Sequence, residues 1–229
     1  MDFPGLSARL AVVRETVARS QAAGGWRHPV RIVGVTKTHG PEAVRAAVGA
    51  GLLDVGENRV QEALQKQEAL EDVQVEWHLI GTLQRNKARQ VVGRFGLIHS
   101  IDRIDLAAEL NRRLTGGEPP QRVLLQVNCS AESQKGGVQP EELPALLDEL
   151  AGLDRLEVLG LMTMSAFTED QAEQRRAFRL LREVRDAGER AGHRLPELSM
   201  GMSGDYPVAV EEGATMIRLG TVLFGERNA

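Results

Sequence analysis

Apolar positions along this chain follow two spacings, one typical of amphipathic helices and one typical of buried strands. An N-terminal helix is predicted by apolar residues four, three and four positions apart, with two glycines that would end it: Leu6, Leu10, Val13, Val17 and Gly24-Gly25. After this helix, short apolar runs rich in β-branched residues alternate with helical patterns. The alternation predicts a series of βα units.

Eight strand-like runs are predicted, and a helical pattern follows each of them. The strands are predicted to begin near Val30, Leu53, Glu76, Leu97, Arg122, Glu157, Glu197 and Thr215. The helices are predicted to begin near Pro41, Arg59, Arg85, Arg103, Pro140, Glu169 and Asp205, with a last short helix from about Val222. Strand starts roughly 20 to 40 residues apart are typical of βα units rather than of hairpins.

The repeated units predict the fold class and the domain organisation. Eight βα units with an extra N-terminal helix indicate an α/β fold, a single (β/α)8 TIM-type barrel over residues 1–229. An open doubly wound sheet is the main alternative, but the regular units and the lack of a GxGxxG motif after the first strand count against it. No linker rich in Pro, Gly and Ser divides the chain, so we expect one domain.

Composition and charge narrow the classes of partner. A net charge of −4 gives no support for nucleic-acid binding, which needs a basic face. No apolar stretch approaches the length that spans a bilayer, and residues 1–4 do not resemble a signal peptide, so no membrane partner is expected. Cys129 is the only cysteine and indicates a reducing compartment. Together these features predict a cytoplasmic protein.

Lysine is rare in this chain, which draws attention to the position of Lys37. The chain holds 24 arginines and only four lysines, Lys37, Lys66, Lys87 and Lys135. Lys37 follows the first predicted strand, and a desolvated lysine amine can lose its proton and attack a carbonyl. Lys37 is therefore a candidate for Schiff-base formation. The alternative is a surface lysine that caps the strand.

Polar residues gather at the predicted carboxyl ends of other strands, the face that carries active sites in barrels. They are Glu57, Asn58, His78, Gly81, Gln84, Asn86, Ser199, Ser203, Asp205 and Arg218. A satisfied core histidine is the alternative for His78. Residues 199–205 and 218–222 form small-residue turns that enter helices, where backbone N–H groups can hold a phosphate. Tight turns without a ligand are the alternative. An amine beside a phosphate site suggests a phosphorylated aldehyde such as pyridoxal 5′-phosphate (PLP).

Six segments in order along the chain resemble motifs of one known family. They are Val35 to Thr38, Gly56 to Glu62, Trp77 to Lys87, Gly160 to Met164, Leu198 to Asp205 and Met216 to Gly225. The chain resembles the pyridoxal phosphate homeostasis protein family from about residue 6 to residue 227. This resemblance implies a fold-type III barrel similar to the N-terminal domain of alanine racemase. It also implies control of free PLP, with indirect effects on amino-acid and keto-acid balance.

The resemblance also implies which residues bind the cofactor. PLP would be held as a Schiff base on Lys37, its phosphate by Ser203, Gly204, Gly220 and Thr221, its pyridine nitrogen by Arg218, and its ring or phosphate near Asn58. His78 and Ser199 complete the expected cofactor site, and neither a metal ligand nor a catalytic residue is expected. Two positions depart from the family pattern, Arg59 and Thr82, which puts rim contacts in question. Lys135 is either a second aldehyde-reactive lysine or a solvated loop lysine.

The same resemblance bears on whether the chain is an enzyme. The similar racemases use a tyrosine from a second domain, whereas this sequence stops at Ala229 and its only tyrosine, Tyr206, lies in the predicted phosphate loop. A guanidinium at Arg218 would keep the pyridine nitrogen unprotonated and weaken the electron sink. We therefore expect a non-catalytic, monomeric carrier of PLP, with apo forms of PLP-dependent enzymes as partners. The alternatives are a weak racemase or lyase and a Schiff-base aldolase acting on a phosphorylated sugar.

Overall fold

Eight parallel strands close into one barrel in the computed structural model, which describes residues 3–114, 117, 119–130 and 136–226. Each strand pairs with the next in chain order, and the first pairs with the last. The strands are β1 Arg31–Val35, β2 Asp54–Glu57, β3 Glu76–Leu79, β4 Leu97–Ile101, β5 Gln121–Gln126, β6 Leu156–Met162, β7 Glu197–Ser199 and β8 Met216–Leu219.

Helices surround the barrel and connect its strands. The α-helices of the described residues are α1 Leu6–Gly24, α2 Pro41–Gly49, α3 Val60–Glu68, α4 Ala88–Val91, α5 Ile104–Arg113, α6 Leu143–Leu150, α7 Gln171–Arg190, α8 Tyr206–Glu211 and α9 Thr221–Phe224. Short 3-10 turns at Arg85–Lys87 and Pro140–Glu142 precede α4 and α6. Thus an additional helix comes first, and a helix follows each strand.

The predicted barrel with an extra N-terminal helix is confirmed, and every strand begins within one residue of its predicted start. The connection after β3 differs from the expectation of a regular helix. There the helical pattern forms only a 3-10 turn and the four-residue α4, and Gly93 with φ 70° follows in the left-handed region. The single domain over residues 1–229 stays a prediction.

Two apolar clusters account for the packing of the barrel. The larger cluster fills the space between the strands and the surrounding helices, and α1 contributes Leu6, Leu10, Val13 and Val17 to it. The smaller cluster fills the middle of the barrel with Val33, Leu97, Leu124, Met162 and Met216. Adjacent residues of a strand face opposite sides, which is why one strand supplies both clusters. Within the described ranges, no helix is long and apolar enough to cross a membrane.

Candidate cofactor-binding site

Lys37 lies half-buried in the turn that directly follows β1, at the carboxyl end of the barrel. The next residue, Thr38, has φ 69° and therefore occupies the left-handed region. This region is unfavourable for a β-branched residue, so the surrounding contacts must hold the turn in place. One such contact is the Thr38 N–H, which donates a hydrogen bond of 2.5 Å to Glu62 Oε1.

A buried lysine lies beneath this turn. Lys66 Nζ donates to the Thr36 carbonyl at 2.8 Å, to Glu57 Oε1 at 2.6 Å and to Glu62 Oε1 at 3.0 Å. The Thr36 hydroxyl donates to the same Glu57 oxygen at 2.6 Å. Burial raises the pKa of Glu57, and the charge of Lys66 opposes that rise. These contacts join the residues on both sides of Lys37 to β2 and α3.

The loops after β7 and β8 lie against each other. The Arg218 N–H donates to the Gly201 carbonyl at 2.9 Å, and the Ser203 hydroxyl oxygen accepts from the N–H groups of Gly220 and Val222, both at 3.3 Å. Asp205 stabilises the first loop because its carboxylate accepts from the Met202 N–H at 2.6 Å. The two turns predicted to form a phosphate site are therefore in direct contact.

Backbone donors remain available at this place. Among the described residues, the N–H groups of Ser203, Gly204 and Thr221 have no hydrogen-bond acceptor. A Cβ added at Gly204 would meet nothing within 4 Å, so space lies in front of this residue. The helices α8 and α9 also begin here, and the N–H groups of a first helical turn have no partner within the helix. The arrangement can accept an anion.

Arg218 lies on β8 inside the barrel and is only 4% exposed. Its Nη1 donates to Ser199 Oγ at 2.6 Å, and its Nη2 donates to the Thr163 carbonyl at 2.8 Å. Burial lowers the pKa of Arg218 to about 10, so the guanidinium stays protonated at neutral pH. A guanidinium has five N–H donors, and three of them remain for a ligand at the carboxyl face.

A chain of buried polar side chains continues from Arg218 through the barrel interior. Ser199 Oγ lies 3.0 Å from His99 Nδ1, His99 Nε2 lies 2.9 Å from His78 Nδ1, and His78 Nε2 lies 3.0 Å from Asp54 Oδ1. With both rings neutral and protonated on Nε2, each donor faces an acceptor from Arg218 to Asp54. Burial, followed by the charges of His78 and Arg218, holds the pKa of His99 well below its usual value.

These contacts locate the predicted site residues. Lys37, Ser203, Gly204, Gly220 and Thr221 lie in the turns at the carboxyl face. Asn58 directly follows β2, and its amide has no hydrogen-bond partner among the described residues.

His78 and Ser199 instead lie deeper, where the contacts described above occupy their polar atoms. Their direct contact with a ligand stays a prediction, and the structure shows them supporting Arg218.

Sequence reasoning did not identify several residues of this region. His99, Thr163 and Lys66 were not among the predicted site residues, although all three are buried and contact residues that were. The histidine follows two apolar residues and the lysine lies on a helix, so neither position carried a local signal. Lys135 lies outside the described residues. Within those residues, no group of three or more His, Cys, Asp or Glu could hold a metal ion.

Comparison with known proteins identifies close relatives. The family model described as alanine racemase, N-terminal domain, matches residues 10–228. A pyridoxal phosphate homeostasis protein of Aquifex aeolicus is 46% identical over 221 residues, which cover 96% of this chain and 97% of that protein. One of Pseudomonas aeruginosa is 45% identical and covers 91% of this chain and 90% of its own length.

A solved structure is equally similar in fold. PipY of Synechococcus elongatus, solved with PLP bound, is 38% identical and superimposes with a TM-score of 0.85. The match covers 96% of this chain and all of that chain (100%).

The buried His99 leads to a prediction about pH. Its pKa is lowered in the folded state, so below its unfolded value of about 6.5 the unfolded chain binds a proton that the folded chain does not. The free energy of unfolding should therefore fall as the pH drops below that value, and this residue should contribute up to about 1.4 kcal/mol per pH unit. Urea unfolding between pH 5 and pH 8 should show a shallower slope for His99→Gln. The partly exposed His193 provides the matched control, since His193→Gln should keep the wild-type slope. Equal slopes for wild type and His99→Gln would contradict the assignment.

Proposed function

Because this chain belongs to the alanine racemase N-terminal domain family, and within it to the pyridoxal phosphate homeostasis proteins, we propose that it holds PLP as a Schiff base on Lys37 and buffers or delivers it. One observation carries this proposal above the others. A half-buried lysine follows β1, next to the turns after β7 and β8, where backbone N–H groups lack acceptors. PipY, similar over its full length, was solved with PLP.

The donors at the carboxyl face fit the chemistry of PLP. Its phosphate needs several N–H or O–H donors, and Ser203, Gly204 and Thr221 present N–H groups without acceptors. Gly220 lies beside them through its contact with the Ser203 hydroxyl. When bound, PLP supplies an aldehyde, and condensation with the neutral Lys37 amine forms the carbon–nitrogen double bond and releases one water. Lys37 therefore has to be held near the aldehyde and has to give up its proton.

Arg218 supplies the contact with the pyridine nitrogen in this proposal. A guanidinium carries only donors, so it binds the nitrogen in its unprotonated form. Asn58 supplies an amide without a partner among the described residues at the end of the neighbouring β2. Ser199, His99 and His78 hold the guanidinium from below. Their role is to orient Arg218 rather than to contact the cofactor.

We infer a non-catalytic carrier, which agrees with the naming of the relatives as homeostasis proteins. An unprotonated pyridine nitrogen is a poor electron sink. The chain's only tyrosine, Tyr206, is buried in the larger apolar cluster, which removes it as a proton donor. Burial also raises the pKa of Cys129 to about 12, so this thiol stays protonated.

The cellular setting follows from the same chemistry. A lone, buried cysteine supports a cytoplasmic location. The large exposed apolar side chains of the described residues lie on four separate segments, which supports a monomer: Val12, Leu53, Phe167 and Met202. A carrier has to give up its cargo, so we propose apo forms of PLP-dependent enzymes as recipients.

The covalent attachment can be tested directly. Borohydride reduction of the PLP-loaded chain, followed by peptide mass spectrometry, should place the pyridoxyl group on the peptide that contains Lys37. Lys37→Ala should lose the visible absorbance of the Schiff base and remain folded, since this side chain is only half-buried. Lys87→Ala is the matched control and should keep the absorbance. Labelling confined to Lys66, Lys87 or Lys135 would show that the assignment is wrong.

The phosphate site can be tested by comparing two ligands. Pyridoxal lacks the phosphate, and each charge-assisted hydrogen bond contributes about 1.5 to 3 kcal/mol, so losing two of them should weaken binding by about 10²-fold or more. Gly204→Asp should reduce this difference because it places a carboxylate among the donors, and the open space there accepts the side chain. Gly152→Asp, at an exposed position, is the control. Equal affinities for PLP and pyridoxal in the wild type would place the phosphate elsewhere.

The carrier interpretation predicts slow chemistry on amino acids. The PLP-loaded chain should turn over alanine and other amino acids well below the usual enzymatic range of about 1 to 10³ per second. Chiral chromatography and deuterium exchange at Cα at high protein concentration would measure this. Turnover within that range would favour the weak racemase or lyase alternative. A slow exchange that disappears in Lys37→Ala would still agree with a carrier, because a Schiff base labilises the α-proton.

A further inference from the structure

Glu57, Glu62 and Lys66 form a buried charged group beneath the turn that carries Lys37, named here the Lys66 cluster. We propose that the Lys66 cluster positions Lys37 for its covalent bond with the cofactor. This inference rests on the proposed function. None of the three residues lies in the predicted cofactor site, so their role is to act through Lys37.

The Lys66 cluster binds the chain on both sides of Lys37. On one side, Thr36 gives its carbonyl to Lys66 Nζ at 2.8 Å and its hydroxyl proton to Glu57 Oε1 at 2.6 Å. On the other side, the Thr38 N–H donates to Glu62 Oε1 at 2.5 Å. The turn is therefore fixed immediately before and immediately after the lysine.

The hydrogen bonds of Lys66 explain how one side chain can fix this turn. An ammonium has three N–H donors, and those of Lys66 find three acceptors, on Thr36, Glu57 and Glu62. The Lys66 side chain is 5% exposed, so water does not compete for these contacts. Burying charges is costly, and a buried ion pair is weak evidence for stability. A defined geometry at Lys37 is a better reason for placing charges here.

The backbone at Thr38 gives independent support. Its φ of 69° places a β-branched residue in the left-handed region, and such conformations persist only where neighbouring contacts enforce them. The hydrogen bond from the Thr38 N–H to Glu62 is the contact that enforces it here. Without that contact we expect the turn to relax and Lys37 to leave its position.

The Lys66 cluster also connects two parts of the proposed site. Glu57 is the last residue of β2 and is fully buried beside Lys66, whereas Asn58, the next residue, lies at the carboxyl face. The same strand end therefore supports the turn of Lys37 from below and offers an amide to the ligand. A change in the cluster should alter the lysine first and leave the distant anion site unchanged.

The test separates covalent bonding from recognition by using two probes. PLP can form the Schiff base, whereas pyridoxine 5′-phosphate has the same phosphate and ring but an alcohol in place of the aldehyde. The variants are Glu62→Gln, which keeps the Lys66–Glu57 pair, and the double variant Glu57→Gln/Lys66→Met, which removes the buried pair together. Glu68→Gln is the matched control, on an exposed position of the same helix.

We expect Schiff-base formation, measured by absorbance after mixing with PLP, to slow by about ten- to hundredfold in Glu62→Gln, as for a misplaced reacting group. The dissociation constant of pyridoxine 5′-phosphate, measured by calorimetry, should stay close to the wild-type value. Glu68→Gln should match the wild type with both probes. Failure of the double variant to fold would leave Glu62→Gln as the deciding variant.

Two results would overturn the positioning role. Wild-type rates of Schiff-base formation in Glu62→Gln would show that the Lys66 cluster does not act on Lys37. Parallel losses with PLP and with pyridoxine 5′-phosphate would show general damage to the fold instead of a displaced lysine. Failure of the proposed function itself would look different, because the wild-type chain would then bind neither probe.

Discussion

Pairing between the first and the last strand creates the candidate site. β1 and β8 lie side by side with Val33 opposite Arg218 and Gly34 opposite Leu219. Both strands then end at the same height, and a Cβ at Gly220 would lie only 3.7 Å from the Cβ of Val35. Lys37 and the anion-binding turns come from opposite ends of the chain, and in an open sheet they would lie on separate edges. Closure of the barrel is therefore the constraint that makes a shared site.

The polar interior of the barrel sets the height of Arg218. A buried polar group is unfavourable unless it is hydrogen-bonded, and a buried charge still more so. The chain from Arg218 through Ser199, His99 and His78 to Asp54 satisfies each of these groups with a partner on another strand. Because every member has its donor opposite an acceptor, displacing one would leave others unpaired. The guanidinium is thus held by a network that spans the barrel.

The sequence predicted features that depend on local patterns and missed features that depend on strand register. Parallel strands buried on both faces form continuous apolar runs, so their starts and the turns after them were predictable, including Lys37. Lys66 was not, because a lysine four residues after a glutamate is usually an exposed helical pair. His99 lies in an apolar run, and only the neighbouring strands show that it contacts His78 and Ser199. Contacts between strands are set by the barrel register, which spacing along the chain does not reveal.

The two halves of the candidate site use different interactions, and this division suits a carrier. The anion half is built from backbone N–H groups, whose positions follow from the loops themselves. The amine half depends on buried charges beneath Lys37. A ligand held by its phosphate does not leave when its bond to the lysine is hydrolysed, so covalent capture and release can be reversed without loss of the cargo. Delivery then requires a recipient that competes for the phosphate, because the covalent bond alone does not retain the ligand.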